Sequence, residues 1–166
     1  MLEKLRKAMK TADIDMLLIP SADPHGSEYP EEYFKARKHF SGFTGSAGTL
    51  LIWQGGAGLW TDGRYFIQAE RQLEGSGIDL FKMREPGVPT VDEFIAENIK
   101  GGVLGADLRT ISASEGMELE KGGAILKDCR SLIDGCWEGR PELSREPAYV
   151  LPAELAGVSS SDKLGA

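Results

Sequence analysis

A Gly-rich loop followed by two short apolar segments and a charged turn most constrains the fold of this 166-residue chain. The feature spans residues 41–66 and reads SGFTGSAGTLLIWQGGAGLWTDGRYF. Residues 49–53 and 59–62 have the composition of β-strands, and the turn at 54–58 between them predicts a hairpin of two strands. A hairpin needs further strands or helices to bury its apolar side chains, so we expect the flanking sequence to supply them.

The sequence around the hairpin alternates strand-like and helix-like patterns. Residues 14–20, IDMLLIP, form an apolar run that ends at proline, which is typical of a strand buried on both faces. Residues 2–12 before it predict an amphipathic helix. Further strands are predicted at residues 79–83, 102–107 and 124–129, and capping boxes mark two helix starts at Thr90 with Glu93 and at Ser112 with Glu115. The pattern indicates an α/β fold.

Two more helices are predicted beside the hairpin. A helix that begins near Ser27 would turn Tyr33, Ala36 and Phe40 toward the core, because their spacing of three and four residues places them on one face. A helix after the hairpin would bury a face formed by Phe66, Ala69 and Leu73.

Charge and composition exclude several function classes. The formal net charge of −7 opposes binding to a phosphate backbone, so no nucleic-acid partner is expected. The N-terminus has no signal-peptide pattern, and no apolar run is long enough to span a membrane. We therefore expect a cytoplasmic protein without a membrane partner, in which Cys129 and Cys136 are reduced, semi-buried thiols.

Residues 62–65, Asp-Gly-Arg-Tyr, form the strongest candidate site. Asp62 lies where the N-cap of the following helix is expected, and Gly63 and Tyr65 complete the motif. Arg64 then falls in the first helical turn, where the helix dipole disfavours a cation and favours a carboxylate partner. Two interpretations stay open: an acid such as Asp62 pairs with Arg64 structurally, or the guanidinium receives a substrate carboxylate or carbonyl.

Two loops are further candidates. In the loop at 41–48, Gly42, Gly45 and Gly48 alternate with small hydroxyl residues around Phe43, and such a loop suits close approach to a ligand or to a packed neighbour. It lacks the spacing and the lysine of a phosphate loop. His25 follows the first predicted strand, at the sheet edge where ligands tend to bind, although a histidine bonded to nearby backbone is the simpler reading.

The composition changes near Arg140. Residues 141–166 are rich in proline and hydroxyl residues and contain only short apolar stretches. We expect one domain over residues 1–140 and a linker with the start of another domain over residues 141–166, so that the sequence is a piece of a longer chain.

Several motifs together resemble one enzyme family. They are DPHGSEY at 23–29, SGFTGSAGT at 41–49, LWTDGRYFIQAE at 59–70, Gly105 with Asp107, and the Trp137–Pro141 segment. Their order is similar to that in the N-terminal creatinase-like domain of Xaa-Pro aminopeptidase (aminopeptidase P), in its larger three-domain form. The resemblance implies an α/β fold with a mixed, mostly parallel sheet of about five or six strands flanked by helices, a ribonuclease H-like motif. Residues 141–166 would begin a second creatinase-like domain.

The resemblance also implies a function for the parent protein. The family removes the N-terminal residue from peptides with proline second, using water activated between two divalent metals, usually manganese. The metal ligands belong to a C-terminal catalytic domain whose motifs do not occur here, so this segment is expected to hold no metal or other cofactor and to be inactive alone. It would help to shape substrate entry and assembly of a homo-oligomer, with the parent's other domains and the peptide substrate as partners. Arg64 would reach substrate, and His25 and Phe43 would lie near the same entrance.

Two alternatives remain. The same fold resembles the N-terminal domain of the large subunit of the histone chaperone FACT, so an acidic domain of this kind would act as a stand-alone peptide- or histone-binding module. The more remote alternative is a ribonuclease H-like nuclease in which Asp15, Asp62 and Asp107 bind two metals.

Overall fold

Residues 16–20 of the apolar run at 14–20 form one of the two central strands of a six-stranded sheet. The computed structural model describes all 166 residues. The strands are β1 (Met16–Pro20), β2 (Thr49–Trp53), β3 (Gly56–Thr61), β4 (Asp79–Lys82), β5 (Val103–Ala106) and β6 (Ile125–Asp128). The helices are α1 (Leu2–Thr11), α2 (Ala36–Ser41), α3 (Phe66–Leu73), α4 (Val91–Ile99), α5 (Ala113–Lys121), α6 (Arg130–Cys136), α7 (Ala153–Ala156) and α8 (Ser160–Gly165), with 3-10 turns at Glu32–Phe34 and Leu108–Thr110.

The sheet is mixed and mostly parallel, as predicted. Its strand order is β4-β3-β2-β1-β5-β6. Strand β2 pairs antiparallel with both β1 and β3, whereas the pairs β3–β4, β1–β5 and β5–β6 are parallel. Five strands therefore run in one direction and β2 alone runs in the other. The hairpin turn is tighter than predicted, because β3 begins at Gly56 and leaves only Gln54 and Gly55 between the strands.

Helices cover both faces of the sheet, and β1 is buried on both faces, as its sequence predicts. Leu17 and Ile19 point into a core formed with α1, α2, α3 and α6. Met16 and Leu18 point into the opposite core, which α4 and α5 cover. The alternation follows from the two-residue period of a strand, which sends successive side chains to opposite faces.

Both predicted capping boxes are present. The Thr90 hydroxyl accepts from the backbone N–H of Glu93, whose carboxylate accepts from the backbone N–H of Thr90. Ser112 and Glu115 make the same reciprocal pair at the start of α5. Each box satisfies backbone donors that a helix leaves unpaired at its N-terminus.

The prediction that a helix begins near Ser27 is wrong. The loop continues to residue 31, and the Ser27 hydroxyl accepts from the backbone N–H of Tyr29 instead of starting a helix. Pro30 explains the delay, because a proline disfavours the helical conformation of the residue before it. Phe34 takes the buried position, and Tyr33 is only half-buried under the guanidinium of Arg140, which lies 3.7 Å from the ring centroid.

The two cysteines and the C-terminal segment complete the description. Cys129 and Cys136 are free thiols, and both are buried rather than semi-buried. Burial raises the pKa of each thiol, so a smaller fraction is thiolate at neutral pH.

Residues 141–152 form no helix or strand, and neither α7 nor α8 contains a buried residue. None of the helices combines the length and the apolar character that crossing a bilayer requires.

Candidate functional site at the carboxyl edge of the sheet

One edge of the sheet collects the loops that carry the candidate residues. Strands β1, β3, β4, β5 and β6 end at this edge and β2 begins there, because Pro20 pairs with Thr49 and Thr49 pairs with Trp60. We call it the carboxyl edge. The loops at residues 21–31, 42–48 and 62–65 therefore meet at the same edge, which is where ligands bind in open α/β sheets.

Arg64 is held by Asp62 through a two-pronged ion pair. The Arg64 Nε donates to Asp62 Oδ1 at 2.9 Å, and Nη2 donates to Oδ2 at 2.8 Å. The backbone N–H of Arg64 also donates to Oδ1, at 3.0 Å. These charge-assisted hydrogen bonds lower the pKa of Asp62 and raise the pKa of Arg64 from their ordinary values. The structural ion pair, one of the two alternatives that the sequence left open, is therefore present.

Asp62 does not cap the following helix, so that prediction is wrong. Helix α3 begins at Phe66, its N-cap position is Tyr65, and no side chain caps it. Arg64 accordingly lies in the turn before the helix and not in its first turn. The physical reason is competition: the carboxylate of Asp62 binds a guanidinium and a backbone N–H two residues away, which leaves it directed away from the N–H groups of α3.

The ion pair leaves part of the guanidinium available. Side-chain exposure is 64% for Arg64 and 30% for Asp62, so the arginine is the more accessible partner. Asp62 engages Nε and Nη2, whereas Nη1 donates to no protein acceptor. The guanidinium carbon also lies 5.3 Å from the ring centroid of Tyr65. Arg64 is thus oriented and still able to receive an oxygen from a ligand.

The same three-residue arrangement occurs after two other strands, which the sequence analysis missed. After β5, Arg109 donates through Nε and Nη2 to both carboxylate oxygens of Asp107, and after β6 Arg130 donates through Nε to Asp128. In both cases the backbone N–H of the arginine also donates to the aspartate. The visible signal is the repeated Asp-x-Arg spacing at residues 62–64, 107–109 and 128–130. We call each one an Asp-x-Arg clamp.

Phe43 packs inside the Gly-rich loop rather than on its surface, and its role near a substrate entrance stays a prediction. The ring is fully buried and packs edge-on against Tyr65, with ring centroids 5.9 Å apart. The glycines around it serve packing: a Cβ on Gly45 would lie 2.3 Å from Phe43 Cζ, and a Cβ on Gly48 would lie 3.0 Å from the Trp60 carbonyl oxygen. Gly42 instead supplies the left-handed backbone that ends α2, with φ of 73°.

His25 lies at the carboxyl edge on a loop organised by a buried aspartate. Asp23 Oδ1 accepts from the backbone N–H groups of His25 and Ser27. The His25 side chain is 86% exposed, and its Nδ1 lies 3.9 Å from Asp23 Oδ2. No hydrogen bond or ion pair joins His25 to Arg64, so the two residues share an edge without contact.

The buried residue Arg37 was missed by the sequence analysis. Its side chain donates to Ser21 Oγ at 2.8 Å, to the Phe43 carbonyl at 2.7 Å and to the Gly45 carbonyl at 2.5 Å. Arg37 thereby fastens the Gly-rich loop to the end of β1. The available signal was a charged residue on the apolar face of a helix, three residues after Phe34 and three before Phe40.

The nuclease alternative is wrong, because its three carboxylates do not converge. Asp15 precedes β1 and accepts from the backbone N–H of Val103, whereas Asp107 follows β5, which is parallel to β1. These two residues therefore lie at opposite edges of the sheet. No group of three or more His, Cys, Asp or Glu side chains anywhere in the chain is placed to hold a metal ion. The residues present here therefore provide no site for the two divalent metals of the enzyme family that the sequence resembles.

Comparisons with known proteins agree with this architecture. The family model for the creatinase/prolidase N-terminal domain matches residues 1–136. A protein named probable Xaa-Pro aminopeptidase P from Coccidioides posadasii is 42% identical over 98% of this chain and 28% of its own length. Aminopeptidase P2 from Arabidopsis thaliana is 40% identical over 91% of this chain and 22% of its own length. The chain thus spans about a quarter of the length of these relatives.

Solved structures share the fold. The X-prolyl aminopeptidase of Caenorhabditis elegans, described as a cytosolic enzyme with a di-nuclear active site, superposes with a TM-score of 0.83 at 32% identity. This match covers 99% of this chain and 30% of the worm protein. The N-terminal domain of the cytoplasmic peptidase PepQ from Mycobacterium tuberculosis shares the fold at 22% identity, with a TM-score of 0.58 over 82% of this chain and 97% of that domain. By its matched residues and its six-stranded mixed sheet, the chain belongs to the creatinase/prolidase N-terminal domain family.

Proposed function

We propose that this chain is the non-catalytic N-terminal domain of a metal-dependent Xaa-Pro aminopeptidase. The parent enzyme removes the N-terminal residue from peptides that have proline second. The proposal is supported by relatives that carry this name and by the di-nuclear site described for the worm enzyme. In this proposal two divalent metal ions, manganese in kind, are held by a separate catalytic domain of the parent, as supported by the di-nuclear active site described for the worm enzyme.

The pattern of burial supports the domain division that we propose. Residues 1–140 form the creatinase-like domain, and residues 141–166 lead into a second one. The C-terminal segment is almost entirely exposed and includes apolar side chains such as Tyr149, Val150 and Leu155, which a following domain would cover. The parent is a cytoplasmic homo-oligomer whose other domains pack near the carboxyl edge.

The role of Arg64 in this proposal is to contact the peptide substrate. The observation that carries it is the geometry of the clamp, in which Asp62 engages Nε and Nη2 and leaves Nη1 without a protein acceptor. An oriented guanidinium of this kind suits a peptide carbonyl or carboxylate. His25, exposed at the same edge, lies beside the substrate entrance, and Phe43 acts only through the packing of the loop.

The test is the activity of the full-length parent on a peptide with proline second. Loss of one hydrogen bond to a charged group costs about 1.5–3 kcal/mol, so Arg64→Ala should lower kcat/KM by roughly 10- to 150-fold. Arg64→Lys keeps the charge but loses the fork that matches a planar ligand, and should give an intermediate value.

The matched control is Arg130→Ala. It removes the same kind of clamp from the end of β6, on the far side of the sheet from β3, and should leave kcat/KM within about twofold of the wild type. Equal activity of the wild type and Arg64→Ala would contradict a substrate role for Arg64. Equal losses in both variants would show that the clamps act only through stability.

A further inference from the structure

Arg37 is a buried cation without a carboxylate partner. Its exposure is 6%, and its three hydrogen-bond acceptors are a hydroxyl and two carbonyl oxygens. Arg37 forms no salt bridge, in contrast to Arg64, Arg109 and Arg130. Burial lowers the pKa of the Arg37 guanidinium to about 10. This pKa is still above neutral pH, so the group remains charged. An uncompensated buried charge is costly, and buried charges in proteins are ordinarily paired.

A cavity of about 180 Å³ opens beside this guanidinium. Arg37 lines it together with Lys35 and Lys38, and the one carboxylate in its wall belongs to the exposed residue Glu28. Lys35 pairs with Glu32, whereas Lys38 forms no salt bridge. The wall of the cavity therefore carries three cations against one anion.

The Gly-rich loop adds to the same wall two residues whose backbone N–H groups are unpaired. Gly45 and Ser46 line the cavity, and the backbone N–H of neither residue donates to any protein acceptor. Gly45 is buried, which makes an unpaired N–H there unusual. A guanidinium has five N–H donors, and three protein acceptors leave two of the Arg37 donors for a ligand. These donors match the acceptors of one small anion.

The cavity lies beside the turn that carries Arg64. The Ser46 hydroxyl lies 2.7 Å from the hydroxyl of Tyr65, which follows Arg64 in the chain. A wider groove of about 500 Å³ at the end of β1 shares Ser21, Glu28 and Ser46 with the cavity. The Gly-rich loop thus connects the cavity with the turn that carries Arg64.

We propose that this cavity binds the free carboxyl terminus of a short peptide. The carboxylate accepts from Arg37 and from the backbone N–H groups of Gly45 and Ser46, with Lys38 contributing charge. The choice of a peptide as the carrier of the carboxylate rests on the proposed function. In an aminopeptidase the carboxyl terminus is the end of the peptide away from the cleaved bond, so this site selects short substrates by the position of their free end.

The experiment is a titration of the 166-residue chain, followed by calorimetry and by the backbone amide signals of Gly45 and Ser46. The probes are a proline-containing tripeptide with a free carboxyl terminus, the same tripeptide as its C-terminal amide, acetate, and inorganic phosphate. We expect the free acid to bind at least 10-fold more tightly than the amide and to shift both amide signals. Equal binding of acid and amide, binding of neither, or signals that shift elsewhere would overturn the proposal. A preference for phosphate over both carboxylates would also overturn it, and binding of acetate without the free-acid peptide would refute the peptide assignment.

Variants separate this site from the proposed function. Lys38→Gln removes an exposed charge from the cavity wall and should weaken binding of the free acid several-fold, whereas Lys121→Gln, on the other face of the sheet, should not change it. Arg64→Ala should retain the preference for the free acid, because Arg64 does not line the cavity. A parent enzyme that loses activity with Arg64→Ala while the chain binds acid and amide equally would keep the proposed function and refute this site. Selective binding of the free acid, together with a parent that cleaves no peptide with proline second, would keep this site and refute the proposed function.

Discussion

Replacement of Gly45 by alanine should destabilise the domain through a clash that the structure locates. A Cβ at this position would lie 2.3 Å from Phe43 Cζ, 2.8 Å from Tyr65 Cδ1 and 2.9 Å from Phe43 Cε1. Carbon atoms in contact are ordinarily about 3.5–4.0 Å apart, so the overlap with Cζ exceeds 1 Å. The Phe43 ring is fully buried, and the Arg37 guanidinium carbon lies 4.8 Å from its centroid, which leaves the ring little room to move.

The expected cost is about 3 kcal/mol, the upper end of the usual range for overpacking, because the atoms that must move belong to a fully buried ring. For a chain of this length that cost corresponds to a fall in Tm of roughly 6–12 °C. The assay is urea unfolding followed by tryptophan fluorescence, which reports the free energy of unfolding from the midpoint and the slope.

Two controls make the outcome specific. Gly63→Ala places its Cβ no closer than 3.9 Å to any neighbour, at Phe66 Cε2, and should change the free energy of unfolding by less than about 0.5 kcal/mol. In a Phe43→Leu background the two Phe43 atoms of the clash are absent and only the Tyr65 contact remains, so the added cost of Gly45→Ala should fall by at least about 0.5 kcal/mol. A Gly45→Ala variant as stable as the wild type would refute the reasoning.

Two further perturbations have expected outcomes that the structure fixes. Burial lowers the pKa of His39, which stacks on Trp137 with ring centroids 4.4 Å apart. The unfolded chain therefore binds the proton first as pH falls, and stability decreases from about pH 6.5 until the folded-state pKa is passed. His39→Phe keeps the stacking and removes the titration. As the pH is lowered from about 7.5 to about 5.5, the free energy of unfolding of the variant, measured in urea, should therefore rise relative to that of the wild type. An unchanged difference would contradict this. Thr90→Ala removes the capping box of α4 and should lower the free energy of unfolding by about 1 kcal/mol, whereas Thr90→Ser should retain most of it, and equal losses in the two variants would show that the hydroxyl is not responsible.

The parts of the fold that follow from short-range rules were predictable from the sequence. A capping box needs two side chains three residues apart, so Thr90 and Glu93 could be recognised without knowledge of the rest of the chain. The strand at residues 14–20 was recognisable because burial on both faces removes polar residues from it. The mixed sheet followed from the resemblance to a known family rather than from periodicity.

The errors arose where two local rules competed or where distant residues decided the outcome. Asp62 satisfies both the rule for an N-cap and the rule for an ion pair with Arg64, and the sequence does not rank them; the structure shows the ion pair. Phe43 among glycines fits an exposed ligand loop and a packed loop equally well. Its burial depends on Arg37 and Tyr65, which lie elsewhere in the sequence. The cavity beside Arg37 was unpredictable for the same reason, since its wall is assembled from segments that meet only in the folded chain.

The three Asp-x-Arg clamps have a consequence for how such a surface can change over evolution. Each clamp closes within three consecutive residues, and the residue between the two charged partners differs in every case: Gly63, Leu108 and Cys129. The hydrogen bonds that join each guanidinium to its aspartate therefore do not involve the central side chain, although Arg109 also donates to the Tyr33 hydroxyl. At the exposed positions Gly63 and Leu108, a substitution can therefore alter the size and polarity of the surface beside the arginine without removing the clamp, whereas Cys129 is buried. A strand end of this kind can therefore change the surface beside its arginine, and so the ligand that it favours, through substitution of a single residue.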